Sequence, residues 1–182
     1  AMEKLNSRIV DILLLHGLPA AGVPTFSVVE FNRGDIVEFN LKPVDYLLDN
    51  HMIPVLHGDV VFDRDKRWDI CSGDRIIRYL CGKYDVDAVV MCTDVDGIYT
   101  GDPGKHRDVR KIDVIEGNPE NILIEGSSNT DVTGGMLGKI REIQRSGVRT
   151  RIINGKIENN LRRALLDDDV GTLVIPGEHD EY

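Results

Sequence analysis

Residues 88–103 read AVVMCTDVDGIYTGDP, and this stretch decides the fold. Residues 88–92 are all apolar, which predicts a strand buried on both faces. Residues 93–110 are rich in aspartate, glycine and proline, which is typical of a long functional loop. Open α/β sheets bind their ligands in such loops, beyond the carboxyl ends of the strands. The stretch therefore predicts one strand of an α/β sheet together with a ligand-binding loop.

The same alternation extends in both directions from this strand. Apolar runs bounded by turn residues predict further strands, and apolar residues at helical spacing between them predict helices. The predicted strands are 20–23, 28–31, 36–39, 53–56, 60–62, 68–71, 149–153 and 172–175, and the predicted helices are 5–15, 43–50, 72–81, 134–146 and 157–166. The fold class is α/β, a three-layer α/β/α sandwich with a largely parallel open sheet and two added hairpins.

Length and composition fit one globular domain. The chain has 182 residues, of which 41% are hydrophobic and 29% charged, and a formal net charge of −9. This acidity argues against a nucleic-acid partner, since such proteins usually carry a basic face. No apolar run is long enough to cross a membrane, so we expect a cytoplasmic location and no membrane partner. The three cysteines, Cys71, Cys81 and Cys92, have neither metal-site nor disulfide spacing and are expected to be buried and inert.

A glycine pair opens the predicted helix 134–146. Gly134 and Gly135 would let backbone amides approach an anion at the positive end of the helix, and Lys139 follows within about a turn. No Walker-type loop occurs in the sequence. The pattern predicts a polyphosphate site, although a plain helix start with a solvent-facing lysine would give the same string.

Two further polar segments follow predicted strands and are candidates for contacts with substrate. They are His57-Gly58-Asp59 and Ser72-Gly73-Asp74. Each also has a purely structural interpretation. Asp74 could simply favour the start of a helix, and His57 could be a buried imidazole whose hydrogen bonds are satisfied within the protein.

The loop after residue 92 could be a surface loop that uses Asp, Gly and Pro for its turns. It nevertheless closely resembles the nucleotide loop of the amino-acid-kinase superfamily, T-D-V-D-G-[VIL]-Y-x-x-[DN]-P, and residues 134–139, GGMLGK, resemble the superfamily's G-G-M-x-x-K helix. The resemblance implies an ATP-binding enzyme. The residues implied to bind ATP are Thr93, Asp94, Asp96, Gly97, Tyr99, Asp102, Pro103, Gly134, Gly135, Met136 and Lys139.

Residues 54–61 and 70–74, PVLHGDVV and ICSGD, are similar to strings of the isopentenyl phosphate kinase subfamily, as is NTDVTGGM at residues 129–136. The resemblance implies ATP-dependent phosphorylation of isopentenyl phosphate, with ATP and Mg²⁺ as cofactors and no metal-binding side chain assigned. It also implies a homodimer. The implied catalytic residues are Lys139 and Asp74, and the implied substrate-binding residues are His57, Gly58, Asp59, Ser72, Gly73, Asp131 and Thr133.

Two departures from the family pattern leave alternatives open. Arg75 stands where many relatives carry a second acidic residue. The family's glycine-rich Lys-x-Gly-Gly-Ser and His-Gly-x-Gly-Ser-Phe-Gly-His segments do not occur, so we expect an N-terminally truncated single domain, with residues 1–83 from the acceptor part and 84–182 from the nucleotide part. The alternatives are a kinase for another small acceptor, such as a phosphonate or an amino acid, and a non-catalytic nucleotide-binding remnant.

Overall fold

The computed structural model describes residues 1–101, 108–117, 140 and 145–177. The chain forms two compact units, Ala1–Ile76 and Ile77–Tyr182. Both units combine helices with strands, and both contain parallel strand pairs. The predicted α/β class is therefore confirmed. Among the described residues, no helix has the length and hydropathy that a membrane crossing needs.

The first unit contains two helices and six strands, and a third helix begins at its end. Helix α1 carries residues that pack on β1 and β4, which form a short parallel pair. The elements are α1 Met2–Leu15, β1 Ala20–Gly22, β2 Val29–Asn32, β3 Asp35–Phe39, α2 Lys42–Asp49, β4 Ile53–Val55, β5 Asp59–Asp63, β6 Arg67–Cys71 and α3 Gly73–Cys81.

A four-stranded sheet with the order β3-β2-β5-β6 forms from the two predicted hairpins. The hairpins join through the parallel pair β2 and β5, so Phe31 and Val61 come to lie in the core. Asp63 is fully buried at the end of β5. Burial raises the pKa of its carboxyl, but the backbone amides of Lys66, Gly34, Asp65 and Arg33 donate to it and bring the pKa down to about 2. Asp63 therefore ties the two hairpins together as a carboxylate.

The opposite face of this sheet carries apolar side chains in the open. Val60 pairs with Ile70 and Phe62 pairs with Trp68 across β5 and β6, and all four side chains are exposed. Arg64 bridges Glu30 and Glu38 on the neighbouring strands. The face therefore combines two apolar rows with one row of ion pairs.

The second unit is built on a sheet with the order β10-β12-β11-β7. Strand β11 lies parallel to β7 and antiparallel to β12, and β8 and β9 form a separate antiparallel pair. The elements are β7 Val89–Thr93, β8 Ile98–Tyr99, β9 Lys111–Ile112, β10 Val114–Glu116, β11 Thr150–Asn154, α4 Asn160–Leu165 and β12 Thr172–Ile175.

Strand β11 is buried on both of its faces. Ile152 packs with Ile98, Ile115, Ile140 and Val174, whereas Ile153 packs on the other side with Ala164 and Val170. Burying a side chain of this size stabilises the fold by roughly 2 kcal/mol. These two clusters hold the carboxyl end of β11 in place, where the chain leaves the sheet.

Several sequence predictions need correction. The strand predicted at 53–56 ends at Val55, and the Ile53 side chain is exposed. The thiol of Cys71 is buried, and burial raises its pKa to about 11, but Cys92 is exposed and Cys81 is half-buried. The final helix is shorter than predicted and begins at Asn160. Most of the predicted helix 134–146 lies outside the described residues, although Ile140, Arg145 and Ser146 are helical.

Helix α1 has the predicted amphipathic pattern, but its main apolar stripe faces outward. Leu5, Ile9 and Ile12 are between 40% and 51% exposed. The side turned toward β1 and β4 instead carries Asn6, which is buried and donates from Nδ2 to the carbonyl of Val55 at 2.9 Å. The helix is therefore anchored within the unit by the polar side chain of Asn6, and its apolar stripe of Leu5, Ile9 and Ile12 is exposed.

Candidate functional site

The predicted acceptor residues gather at the carboxyl end of β4 and the start of α3. Gly58 lies so close to the other segment that an added Cβ would sit 3.1 Å from the carbonyl oxygen of Cys71 and 3.4 Å from the amide nitrogen of Gly73. Asp59 pairs with Cys71 across the β5–β6 hairpin. The structure therefore brings His57-Gly58-Asp59 and Ser72-Gly73 together. The glycine at 58 is needed because the backbones approach closely there.

His57 is the unusual residue of this group. Its side chain is 8% exposed, and both ring nitrogens are buried with no hydrogen-bond partner among the described residues. The Asp59 carboxylate is close by, but its Oδ2 lies 3.6 Å from Nε2, beyond hydrogen-bond distance. The described residues therefore do not supply the hydrogen bonds that a satisfied core imidazole would have. Buried polar atoms are rarely left unpaired unless function requires it.

Thr25 holds His57 from the backbone side, a contact that no local sequence pattern predicts. The Thr25 side chain is fully buried, and Oγ1 donates to the carbonyl oxygen of His57 at 2.5 Å. Thr25 lies in a short 3-10 turn, Thr25–Ser27. A threonine in a turn has many possible partners, so only the long-range contact identifies its role.

Asp74 lies half-buried in the first turn of α3, where a negative charge is favoured by the helix dipole. Ser72 caps this helix, since its Oγ accepts from the Arg75 amide at 3.4 Å. Arg75, which departs from the family pattern, makes structural contacts within the first unit. Its guanidinium donates to the carbonyl of Gly34 at 2.6 Å and stacks over the Phe31 ring at 5.5 Å.

The second group of predicted residues lies in the second unit, at the carboxyl end of β7. Thr93 ends the strand, and its Oγ1 lies 2.9 Å from the carbonyl oxygen of Val95 and 3.2 Å from that of Ile153, so its single proton can donate to either. These bonds turn the chain sharply after the strand. Asp94 and Asp96, in the turn that follows, are exposed.

Gly97 and Ile98 are fixed by Thr172. The Thr172 hydroxyl accepts from the Ile98 amide at 2.8 Å and donates to the carbonyl of Ile112 at 2.5 Å. Gly97 has a φ of +141°, and a Cβ at this position would lie 2.5 Å from Thr172 Oγ1. Glycine is therefore required at 97 for both backbone conformation and space.

Residues 154–156, at the carboxyl end of β11, contact the same loop. Asn154 donates from Nδ2 to Asp96 Oδ1 at 2.8 Å, and Gly155 donates its amide to the Thr93 carbonyl at 2.9 Å. Lys156 Nζ lies 3.9 Å from Asp94 Oδ2. Residues 154–156 were not predicted as part of a site. Their position directly after a strand parallel to β7 was the available signal, because parallel strands end at the same sheet edge.

Eight of the predicted site residues lie outside the described part of the chain, and their roles stay predictions. They are Asp102, Pro103, Asp131, Thr133, Gly134, Gly135, Met136 and Lys139. Within the described part, no group of three His, Cys, Asp or Glu side chains is placed to hold a metal ion.

The acidic turn 167–169 is exposed, and two arginines pair with its first carboxylate. The Arg149 and Arg151 guanidiniums donate to the carboxylate of Asp167 at 3.1 and 3.3 Å. These two arginines lower the pKa of the Asp167 carboxyl. The turn is thus a set of ion pairs that closes the α4–β12 connection.

This fold and this loop define a class of protein, and comparison with known families agrees. The profile described as the Amino acid kinase family matches residues 1–154. The chain belongs to the amino acid kinase family.

Within this family, the chain is similar to several proteins named isopentenyl phosphate kinase. The chain is 39% identical to the isopentenyl phosphate kinase of Methanothermobacter thermautotrophicus, over 98% of this chain and 69% of the relative. It is 35% identical to the isopentenyl phosphate kinase of Methanocaldococcus jannaschii, over 96% of this chain and 65% of the relative. A solved isopentenyl phosphate kinase structure superposes with a TM-score of 0.78 at 36% identity, covering 94% of this chain and 66% of that one. The chain thus spans about two thirds of the length of these relatives.

Proposed function

We propose that the protein containing this chain is an ATP-dependent kinase that converts isopentenyl phosphate to isopentenyl diphosphate. The observation that carries the proposal is the loop Thr93–Gly97, held in one conformation at the shared carboxyl edge of β7 and β11. A preformed polar loop at this edge suits a nucleotide. Similarity to two enzymes named isopentenyl phosphate kinase supports the choice of acceptor.

The chemistry asks for positioning more than for acid–base catalysis. The attacking oxygen of a phosphate acceptor is already anionic, so no general base is needed. We assign Lys139 to charge stabilisation on the transferring phosphoryl group and Asp74 to orientation of the catalytic lysines. The half-buried position of Asp74 in the first turn of α3 is compatible with a residue that orients other groups.

His57 supports an acceptor site in the first unit. A buried imidazole with two unpaired nitrogens can donate to a phosphate oxygen from one nitrogen and accept from a hydroxyl or water at the other. The backbone segments on either side of this histidine and at the start of α3 lie close together, and they contribute Gly58, Asp59, Ser72 and Gly73. We propose that this group contributes to binding the acceptor, and that Asp131 and Thr133 are also substrate-binding residues.

Mg²⁺ would accompany the nucleotide. The described side chains do not form a dedicated metal site, and Mg²⁺ is commonly held by phosphate oxygens with few protein ligands. A cytoplasmic location, where ATP is available, is part of this proposal.

We also propose a homodimer, and the open stripe of α1 supports it. Leu5, Ile9 and Ile12 follow a spacing of three and four residues, which suits helix-to-helix packing about a two-fold axis. Sedimentation equilibrium of the protein and of an Ile9→Glu variant tests this. A dimeric wild type and a monomeric variant are expected, and two identical dimers would exclude α1 from the interface.

The direct test of function is ADP release by the full-length protein with isopentenyl phosphate, compared with a phosphonate and with glutamate as acceptors. Lys139→Ala should lower turnover by about 10² to 10³. Lys66→Ala removes an exposed lysine that pairs with Asp69, and it serves as the control with unchanged turnover. Preference for another acceptor would change the proposed substrate, and full activity of Lys139→Ala would remove that residue from the mechanism.

A further inference from the structure

The side chain of Asn154 is engaged at both ends. Its Nδ2 donates to Asp96 Oδ1 at 2.8 Å, and its Oδ1 accepts from the Lys156 amide at 2.9 Å. The second bond identifies which end of the amide is the oxygen, since a backbone N–H must meet an acceptor. The orientation of the Nδ2 group toward Asp96 is therefore fixed by its own loop.

The backbone of Asn154 is held as firmly as its side chain. Asn160, buried at the start of α4, donates from Nδ2 to the Asn154 carbonyl at 3.2 Å. The next residue, Gly155, donates to the Thr93 carbonyl, and a Cβ on Gly155 would lie 2.8 Å from Cys92 Cβ. The exits of β7 and β11 are thus in direct contact, with Asn154 between them.

Asp96 differs from the other residues of the loop in how it is held. Thr93 and Ile98 are fixed by bonds to the sheet and to Thr172, whereas the carboxylate of Asp96 is exposed and receives the Asn154 amide. A carboxylate has about four acceptor positions, so Asp96 can hold this bond and still accept from a hydroxyl of a bound nucleotide.

We propose that Asn154 is a positioning residue for nucleotide binding, which sets the Asp96 carboxylate toward the nucleoside of ATP before ATP arrives. The inference rests on the proposed ATP-dependent function. Fixing a side chain in advance removes part of the ordering cost of binding, so the benefit appears as nucleotide affinity. The acceptor and the chemical step should not depend on it.

The test measures ADP binding by calorimetry and steady-state kinetics with the full-length protein. Asn154→Ala should raise the Kd for ADP and the KM for ATP by about 5- to 10-fold, the effect of losing one hydrogen bond to a charged group at an exposed position. The kcat and the acceptor KM should stay within about twofold. Asn154→Asp, which keeps the shape but faces Asp96 with a like charge, should weaken ADP binding further.

Arg149→Ala is the matched control. Arg149 precedes β11 at its opposite end and also donates to an exposed carboxylate, that of Asp167. The control should lose a similar amount of side-chain bonding but keep the wild-type Kd for ADP. Thermal unfolding of all three variants separates affinity from stability.

Each result has a definite meaning. A wild-type protein that binds no ADP would refute the proposed function itself. Wild-type binding with an unchanged Kd in Asn154→Ala would refute the positioning role alone. Parallel loss of unfolding temperature, ATP affinity and acceptor affinity, or failure of both Asn154 variants to fold, would also overturn it by showing a purely structural residue.

Discussion

Replacing Thr172 with valine should remove the hydrogen bonds that connect strand β12 to the start of β8 and to β9. The side chain is fully buried, and its hydroxyl holds the Ile98 amide and the Ile112 carbonyl. Valine has nearly the same shape, so the change removes the hydroxyl and leaves the packing in place. The Ile98 N–H would then be buried without a partner.

The expected cost follows from those two bonds. An unsatisfied buried donor costs about 1–3 kcal/mol, and a carbonyl that loses one of its bonds costs less, so the free energy of unfolding should fall by about 2–4 kcal/mol. Urea denaturation followed by circular dichroism measures this. Because Gly97 lies against the same hydroxyl, ADP affinity should fall as well.

Thr150→Val provides the comparison. Thr150 is equally buried on the neighbouring strand, and its hydroxyl donates to the Val148 carbonyl at 3.1 Å. Its replacement exposes no unpaired N–H, and a loss of about 1 kcal/mol is expected. If Thr172→Val costs less than about 0.5 kcal/mol, or no more than Thr150→Val, the reasoning about Thr172 is wrong.

Two further changes test features of the backbone and of charge. Gly171→Ala should cost more than about 4 kcal/mol or prevent folding, since a Cβ would lie 2.0 Å from the Ile152 carbonyl oxygen at a φ of +72°. Gly117→Ala is the control, because at its φ of +66° an added Cβ meets no described atom within 4 Å, and it should cost only about 1–2 kcal/mol. Equal yields of the two folded variants would contradict the clash at Gly171. Asp63→Asn should lower the unfolding midpoint at neutral pH. Since the pKa of Asp63 is about 2, below its usual 3.8, the wild-type advantage holds above pH 3.8 and shrinks as the pH falls toward 2; a difference that does not change with pH would refute the role of the charge.

The elements that sequence predicted best are those set by local pattern. Strand β12 was predicted with its observed bounds, Thr172–Ile175, and the β2–β3 hairpin was predicted around its turn. In both cases a short apolar run ends at turn residues, and no distant partner is needed to identify it. The loop after β7 was predicted from a motif, and its described residues follow that strand as predicted, whereas their role in nucleotide binding stays a prediction.

What sequence could not predict depends on partners far along the chain. Asp63 reads as a turn residue, but four amides converge on it in the folded sheet. Strands β8 and β9 are too short to show a period, so β8 fell within a predicted loop. Leu5, Ile9 and Ile12 have the spacing of a core face, and nothing local reveals that Asn6 is the side turned inward. Asn154 was missed for the same reason, since its partner Asp96 lies 58 positions away.

The bond between Thr172 and Ile98 also sets an order of events during folding. It joins residues 74 positions apart, and closing so long a loop carries an entropic cost that must be met before the contact can stabilise anything. Contacts of this separation slow folding and tend to form late. During synthesis, residues 93–98 therefore leave the ribosome well before β12 does, and the loop can reach its final conformation only after the chain has been made as far as residue 172.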